Sequence, residues 1–380
     1  MNRIYLDNAA TTPIAPEVVQ VMQDVLGHCY GNPSSIHAHG REAKACIEKA
    51  RRSVAQWLGT VPAHIFFTSG GTEADNMAIR QVVKDMGIRR VITSPIEHHA
   101  VTHTVEELAQ SGEITLEWLH PDEKGRHSLE TLEELLKGQP RTLVSLMHAN
   151  NEIGSMIDLT AVGNLCRKYD ALFHSDTVQT MGHFRFNLSE LPVDLITCAA
   201  HKFHGPKGVG FLYMNLERVK LHPFITGGAQ ERNMRAGTEN VYGIAGLAKA
   251  MDLAYEDLEG HMNHIQNLRN TLKTGLLNLY PDLHINGTDD PEPYLYTILN
   301  VCFPPAPDRE MFLMKLDIHG ISASGGSACS SGSQKGSHVL EGVHAPANRP
   351  CVRFSFSRYN TMEEVQEVIR VLAKRKETVA

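Results

Sequence analysis

The sequence predicts an α/β protein in which a mostly parallel sheet is flanked by helices, followed by a smaller α+β lobe. Short apolar, β-rich runs alternate with helical stretches through the first two thirds of the chain. This alternation is typical of strand–helix–strand units. Later in the chain the pattern changes to separated strands and a last helix. A chain of 380 residues has room for such a second lobe.

Strands are predicted in the first part of the chain at residues 65–68, 91–94, 142–147, 171–174, 195–198 and 210–213. The helical stretches that alternate with them lie at residues 40–58, 72–86, 128–137 and 158–169. Ligands of sheets of this kind bind in the crevice beyond the carboxyl ends of the strands. Residues that directly follow these strands are therefore the first candidates for a functional site.

The second part of the chain begins with one long helical stretch at about residues 241–279. It continues with strands at 284–286, 297–301 and 352–356 and a helix at 361–376. A proline-rich segment at 303–308 predicts a rigid loop that leads into a further helix. We expect a large domain at 15–256 and a small α+β domain made of 1–14 and 257–380.

Composition and charge narrow the function classes. The chain is 42% hydrophobic, 21% charged and 6% aromatic, as in an ordinary globular protein. A net charge of −7 gives no general attraction to nucleic acid or to anionic membranes. The first residues lack the features of a signal peptide, and no apolar run approaches the ~20 residues that span a bilayer. We expect a soluble, cytoplasmic protein with no membrane partner and no direct nucleic-acid partner.

The seven cysteines form an odd set without a C-x-x-C pair. This favours reduced thiols over a disulfide framework or a structural zinc site. Cys329 differs from the others because it lies in a segment rich in serine, glycine and alanine at 322–336, which predicts an exposed thiol. Its thiolate would be a strong nucleophile, and Lys335 or His338 could raise the thiolate fraction. The alternative is an incidental cysteine in a surface loop.

Lys202 ends an apolar strand at a glycine-rich turn, and Asp176 ends the strand before it. If both strands belong to one sheet, the two side chains face the same crevice. A pyridoxal phosphate site needs such a pair. The lysine amine forms a Schiff base with the cofactor aldehyde, and the carboxylate keeps the pyridinium nitrogen protonated. The alternative is a lysine and an aspartate that are solvated loop residues.

Two further positions fit such a site. Thr72 opens a helix after the glycines of the segment 67–76, where its hydroxyl and the backbone N–H groups can bind phosphate. The segment is neither a Walker loop nor a dinucleotide fingerprint, and a capped glycine turn is the alternative. Arg353 lies in an apolar strand, from which its guanidinium can bind a substrate carboxylate through two parallel hydrogen bonds. Alternating strand faces leave open that it points to solvent.

The chain has 21 histidines, and two pairs among them invite a metal interpretation. His99 and His103 would share a helix face, and His37 and His39 flank a turn. No H-E-x-x-H motif is present, however, and no carboxylate has convincing ligand spacing. We therefore expect no metal site. A histidine just after the strand that ends at Pro95 has another use, because its ring can stack on a flat cofactor.

Taken together, these segments resemble the pyridoxal phosphate-dependent cysteine desulfurases of the NifS/IscS type, in the class V aminotransferase superfamily. The resemblance runs from Tyr5 to Arg353 and so covers nearly the whole chain. It is most specific at Gly31-Asn-Pro-Ser-Ser-Ile-His37, Thr68-Ser-Gly-Gly-Thr-Glu73, Glu97-His-His-Ala100, Asn150-Asn-Glu-Ile-Gly154, Ser175-Asp-Thr-Val-Gln179, Ala200-His-Lys202, Arg235-Ala-Gly-Thr238 and Gly326-Ser-Ala-Cys329. It implies fold type I of the pyridoxal phosphate-dependent transferases. It also implies conversion of L-cysteine to L-alanine, with the sulfur left as a persulfide on the enzyme.

The resemblance implies roles for individual residues. Cys329 would accept the sulfur, and Lys202 and His98 would be the other catalytic residues. Asn32 and Arg353 would hold the substrate carboxylate. The residues implied for pyridoxal 5′-phosphate binding are Lys202, Asp176, Gln179, Asn151, Thr72, His201, His98 and Thr238. Among them His98 would stack on the ring, with His99 as the neighbouring alternative, and Thr238 would reach the cofactor of a partner subunit in a homodimer.

This chain departs from the family pattern at two places. Ala199 stands where family members often have a serine, so one phosphate hydrogen bond must be missing or come from elsewhere. The sequence also ends soon after its last predicted helix, without the longer tail with which the IscS branch contacts its scaffold. The expected sulfur acceptor is an iron–sulfur scaffold or a tRNA-thiolation carrier. The form of the Cys329 segment favours the NifS/IscS group over the SufS group.

Other functions remain open on the same residues. An aminotransferase or a selenocysteine lyase would use the same fold, but transamination needs no thiol such as Cys329. A sulfur carrier without cofactor is the non-enzymatic alternative, and it would lack the yellow colour of a bound pyridoxal phosphate.

Overall fold

The computed structural model describes residues 3–306, 309–325 and 336–379, with side chains as far as residue 376. Its twelve strands are Ile4–Tyr5 (β1), Ile65–Thr68 (β2), Arg90–Thr93 (β3), Thr115–Trp118 (β4), Leu143–Ser145 (β5), Leu172–Asp176 (β6), Leu195–Ala199 (β7), Gly210–Met214 (β8), His284–Asn286 (β9), Ile298–Cys302 (β10), Ile321–Ser322 (β11) and Cys351–Ser355 (β12). They form three sheets.

The helices within the same ranges are Pro16–His28 (α1), Ala38–Trp57 (α2), Gly71–Asp85 (α3), His99–Gln110 (α4), Leu129–Leu136 (α5), Leu159–Lys168 (α6), Gln230–Asn233 (α7), Val241–Glu256 (α8), Leu258–Leu279 (α9), Phe312–Ile318 (α10), His338–Gly342 (α11) and Met362–Val379 (α12). Short 3₁₀ turns occur at Pro62–His64, Ala200–Lys202 and Arg309–Met311. α7 is a single turn with positive φ at Glu231, Arg232 and Asn233, so it is not a right-handed helix. No helix in the described ranges is long and apolar enough to cross a membrane.

The largest sheet has seven strands in the order β2-β8-β7-β6-β5-β3-β4. Every neighbouring pair is parallel except those that involve β8, which runs antiparallel to β2 and β7. Its central strands β6, β7 and β8 are buried on both faces, which explains why β7 and β8 are nearly continuous apolar runs. The prediction of an α/β fold with a mostly parallel sheet is confirmed.

Successive side chains of these strands enter two different cores, because strand side chains alternate between the faces of a sheet. Ile196 packs in a core with α1, α2, α5, α6 and α8. Its neighbour Leu195 packs in a second core with α3 and α4 on the opposite face. Helices therefore cover both faces of the sheet. The polar ends of its strands remain uncovered, and a ligand-binding site is expected there.

The later part of the chain forms a separate core around the antiparallel sheet β9-β10-β12, with α9, α10 and α12. The N-terminal strand β1 adds to this part by pairing in parallel with β11. The long helical stretch predicted at 241–279 is in fact two helices, because Asp257 between α8 and α9 has non-helical backbone angles. The domain boundary near residue 257 stays a prediction.

The prediction of reduced cysteines is wrong for one pair. Cys302 and Cys351 form a disulfide. They are direct partners in the register of β10 and β12, which places both side chains on one face of the sheet. The two cysteines are 49 residues apart in the sequence, so their pairing could not be predicted without knowing the register of the two strands. Among the described residues Cys29, Cys46, Cys166 and Cys198 are free thiols.

Candidate functional site

A cavity of about 250 Å³ lies beyond the carboxyl ends of the central parallel strands. It is closed on one side by residues that follow β1, namely Ala9 and Ala10, and on another by the start of α3. Eight of the predicted site residues line it: Lys202, Asp176, Gln179, Asn151, Thr72, His201, His98 and Arg353. These residues come from segments scattered over most of the sequence, and the strand order brings them together.

Lys202 is the last residue of the 3₁₀ turn that follows β7. Its Nζ donates hydrogen bonds to the carbonyl oxygens of Ala9 at 2.5 Å and Ala10 at 2.9 Å. The amine is therefore held inside the cavity by the chain that follows β1. A lysine in this position can form a covalent bond with a carbonyl carbon of a bound molecule.

Asp176 is the last residue of β6, the strand next to β7, and it is 6% exposed. Its Oδ1 accepts a hydrogen bond from the N–H of Val178 at 2.8 Å. Burial raises the pKa of Asp176 to about 6, while the Val178 N–H and the Lys202 ammonium act in the opposite direction. A carboxylate that is buried at this cost favours a cationic partner, such as a protonated ring nitrogen.

His98 caps the N-terminus of α4 and lines the cavity. Its Nδ1 accepts a hydrogen bond from the N–H of Ala100 at 3.1 Å, so this nitrogen carries no proton. Burial, followed by the nearby Lys202 charge, lowers the pKa of His98 to about 4. The ring that faces the cavity is therefore neutral. His99 is not among the residues that line the cavity, and its ring centroid lies 4.6 Å from that of His103.

The N-terminus of α3 forms the opposite end of the cavity. A Cβ atom on Gly71 would lie 2.9 Å from Cγ2 of Val178, so a side chain at this position would force Val178 to shift. Thr72 follows in the first turn, where helix N–H groups point outward and favour an anion. His201 and Ala199 line the same region. The Nδ1 of His201 lies 3.1 Å from the hydroxyl oxygen of Thr11, and burial lowers the pKa of His201 to about 4.

Arg353 lies on β12 and is 1% exposed, so the alternative of a solvent-facing arginine is wrong. Its Nη2 forms an ion pair with Oδ1 of Asp7 at 2.9 Å. Its Nη1 donates to the backbone oxygen of Asn151 at 2.7 Å. The Nε atom has no hydrogen-bond partner among the described residues. Two contacts thus orient a guanidinium that borders the cavity.

Three predicted site residues are not part of this cavity. Thr238 lines a second cavity of about 190 Å³, beside the ion pair between Arg235 and Glu73. Asn32 is exposed, and its side-chain oxygen accepts a hydrogen bond from the N–H of Ser34 at 2.9 Å. Cys329 lies outside the described residues.

Sequence reasoning missed one ionisable residue that lines the cavity. Asp75 lies on α3, three residues after Thr72, and is 1% exposed. Residues three apart on a helix share a face, so the spacing from Thr72 was a usable signal. The described residues contain no group of three or more histidines, cysteines or acidic residues arranged to hold a metal ion.

The residues around the cavity fit pyridoxal 5′-phosphate. The amine of Lys202 can bind its aldehyde carbon, the buried Asp176 its ring nitrogen, and the start of α3 its phosphate. The backbone at Gly71 carries no side chain, which allows close approach of a phosphate. His98 is neutral and offers a flat ring on the cavity wall.

Comparison with known proteins gives one consistent result. The family model described as aminotransferase class-V matches residues 4–368. A relative named cysteine desulfurase IscS, from Dictyoglomus turgidum, is 41% identical over 376 residues, which are 98% of this chain and 94% of that protein. A solved structure named NifS-like protein is 37% identical, with a TM-score of 0.91 over 99% of this chain and 100% of that chain. A structure described as SspA in complex with cysteine is 29% identical, with a TM-score of 0.82 over 94% of this chain and 100% of that chain.

Proposed function

The chain belongs to the aminotransferase class-V family and is a pyridoxal 5′-phosphate-dependent cysteine desulfurase, and we propose that it transfers the sulfur of L-cysteine to Cys329. We assign the roles mainly because Lys202, Asp176 and Arg353 line one cavity. An amine, a buried carboxylate and an oriented guanidinium are the groups needed to bind the cofactor and an amino acid together.

When bound, pyridoxal 5′-phosphate supplies an electron sink for the electron pair left on the substrate Cα after a proton is removed. Asp176 would hold its ring nitrogen, Lys202 its aldehyde carbon and His98 the face of its ring. Thr72 and His201 would bind its phosphate, and Gln179 and Asn151 would lie beside its ring hydroxyl and the substrate. The side chain of Gln179 is already oriented, because its Nε2 donates to the carbonyl oxygen of Ala9 at 3.0 Å.

Arg353 orients the substrate. Asp7 and the Asn151 carbonyl occupy one N–H of each Nη, which leaves the other N–H groups for the two oxygens of a carboxylate. A substrate held in this way would lie in the same cavity as Lys202. There the Nζ of Lys202, which is held 2.5 and 2.9 Å from two carbonyl oxygens, is the group that can take up and return the Cα proton.

The sulfur step needs a thiol, and Cys329 is proposed for it. The thiolate of Cys329 attacks the sulfur of the bound L-cysteine, so that an S–S bond forms and the bond between Cβ and sulfur breaks. A proton is then added at Cβ, and L-alanine leaves. The sum is L-cysteine plus enzyme thiol giving L-alanine plus enzyme persulfide, which balances without an external oxidant or reductant.

We propose that the enzyme acts as a homodimer in the cytoplasm. The resemblance implies that Thr238 reaches the cofactor of a partner subunit, and Thr238 indeed lines a separate cavity and not that of its own Lys202. Exposed apolar side chains at Tyr30 and Ile36, 73% and 91% exposed, offer surface for a second subunit. The persulfide would pass to an acceptor protein, either an iron–sulfur scaffold or a tRNA-thiolation carrier.

The direct test incubates the purified protein with L-cysteine and a thiol reductant, and measures alanine and sulfide together. Equal amounts of the two products are expected, because each turnover yields one alanine and one persulfide sulfur. Formation of a 2-oxo acid without sulfide would contradict the proposal and indicate an aminotransferase. The cofactor assignment would be contradicted if the protein stayed colourless after addition of the cofactor, without absorbance near 400 nm.

A further inference from the structure

A second buried carboxyl group borders the cofactor cavity. Asp75 lies on α3, lines the same cavity as Asp176, and is 1% exposed. Its Oδ1 atom is buried and has no hydrogen-bond partner among the described residues. A buried carboxylate oxygen without a donor is unfavourable, whereas a protonated carboxyl group avoids most of this cost.

The groups that face Asp75 do not compensate a negative charge. The Nε2 of His174 lies 3.6 Å from Oδ1 of Asp75 and is the one basic group within ion-pair distance in the described part of the chain. Burial lowers the pKa of His174 to about 3, so its ring is neutral. His174 is also occupied, since its Nδ1 lies 2.9 Å from Ser145 Oγ and its Nε2 lies 3.1 Å from Thr197 Oγ1.

Two neighbouring carboxyl groups act on the pKa of Asp75 in the same direction as its burial. Burial first, then Asp176 and finally Glu97 raise the pKa of Asp75 well above its ordinary value, and the Thr197 hydroxyl acts in the opposite direction. Asp176 differs, because the Val178 N–H and the Lys202 ammonium both favour its ionised form. These contacts favour the proton on Asp75 and the negative charge on Asp176.

We propose that Asp75 is a positioning residue that stays protonated and so confines the negative charge of the carboxyl pair to Asp176. The protonation of Asp75 does not depend on the proposed function. Its consequence does, because the consequence is that one negative charge, and not two, lies opposite the ring nitrogen of the cofactor. A second charge would stabilise the protonated ring further and would add repulsion inside the cavity. The protonated Asp75 instead adds no charge to the cavity, so that Asp176 is the one anionic partner of the ring nitrogen among the two carboxyl groups.

The test compares the wild-type protein with Asp75→Asn, which replaces a neutral acid with a neutral amide of the same shape. Infrared difference spectra at pH 7 should show the loss of one protonated-carboxyl C=O band and no loss of carboxylate bands. Glu97→Gln is the matched control, because Glu97 is also 1% exposed and its Oε2 atom has no hydrogen-bond partner among the described residues. Its variant should remove a different protonated-carboxyl band. Loss of a carboxylate band in Asp75→Asn would overturn the proposal.

The holoenzyme gives a second measurement. The pH titration of the cofactor's visible band should shift by less than about 0.3 pH unit in Asp75→Asn, because no charge is removed. Asp176→Asn should shift it by about one unit or more, as expected for the loss of a unit charge next to the chromophore. A shift of that size in Asp75→Asn would also overturn the proposal. If no visible band forms, the cofactor assignment fails, while the infrared result still decides the protonation of Asp75.

Discussion

Asp176→Asn is the most informative substitution at the proposed cofactor site. The amide keeps the shape of the side chain, and its oxygen can still accept the 2.8 Å hydrogen bond from the N–H of Val178. What the variant loses is the negative charge. We therefore expect the fold and cofactor binding to survive, whereas removal of the substrate Cα proton becomes slow, because the ring nitrogen is no longer kept protonated.

The structure sets the size of this effect. Burial raises the pKa of Asp176 from 3.8 to about 6, a difference of about two pH units. This difference corresponds to a free-energy cost of about 3 kcal/mol for ionising Asp176 at its buried position. A cationic ring nitrogen would offset this cost. If the cationic ring nitrogen offsets this cost in full, loss of the Asp176 charge lowers kcat/KM roughly 150-fold. That figure lies within the roughly 10²- to 10³-fold losses seen when one electrostatic stabiliser is removed.

The assay measures alanine formation from L-cysteine together with the visible spectrum of the bound cofactor. Asp282→Asn is the control, since Asp282 is 71% exposed and paired with Arg349 at the surface. The control should keep wild-type turnover. If Asp176→Asn retained turnover within about twofold of wild type while it bound cofactor, Asp176 would not be the partner of the ring nitrogen.

The remaining predictions concern covalent chemistry, sulfur transfer and stability. Lys202→Ala should lose turnover and the borohydride-sensitive absorbance, and peptide mapping after reduction of the wild type should label Lys202; a label on Lys207 would refute the assignment. Cys329→Ser should still change its spectrum with L-cysteine but release sulfide only at background, since a hydroxyl is far less nucleophilic toward sulfur; an undiminished sulfide rate would contradict desulfuration through Cys329. Glu231→Gln should destabilise the fold by about 3–5 kcal/mol, measured by denaturant unfolding, because it breaks a buried ion pair with Arg51 at 2.7 Å; a loss below 1 kcal/mol would contradict this. Asp176→Asn should also flatten the pH dependence of apoprotein stability, because a raised folded-state pKa gives stability that is present below 3.8 and is lost as the pH rises through about 6; an unchanged slope between pH 4 and 6 would count against it.

Much of the candidate site was predictable because it depends on local rules. Asp176 ends one strand and Lys202 closely follows the next, and the carboxyl ends of neighbouring parallel strands meet at one edge of a sheet. Thr72 follows glycines at a helix start, which is also a local pattern. The order of the motifs along the chain identified the family, and the comparisons confirm it.

The sequence by itself determined the α/β class, the mostly parallel sheet and the residue types at the ends of β6 and β7, because these follow from periodicity and from neighbours along the chain. Only the tertiary structure decided which distant residues meet. The register of β10 and β12 brings Cys302 against Cys351. The approach of the chain after β1 places Asp7 against Arg353, 346 residues away. The packing of α3 across the strand ends buries Asp75 at the cavity of Asp176, and such burial depends on strand order and helix position, which no local pattern encodes.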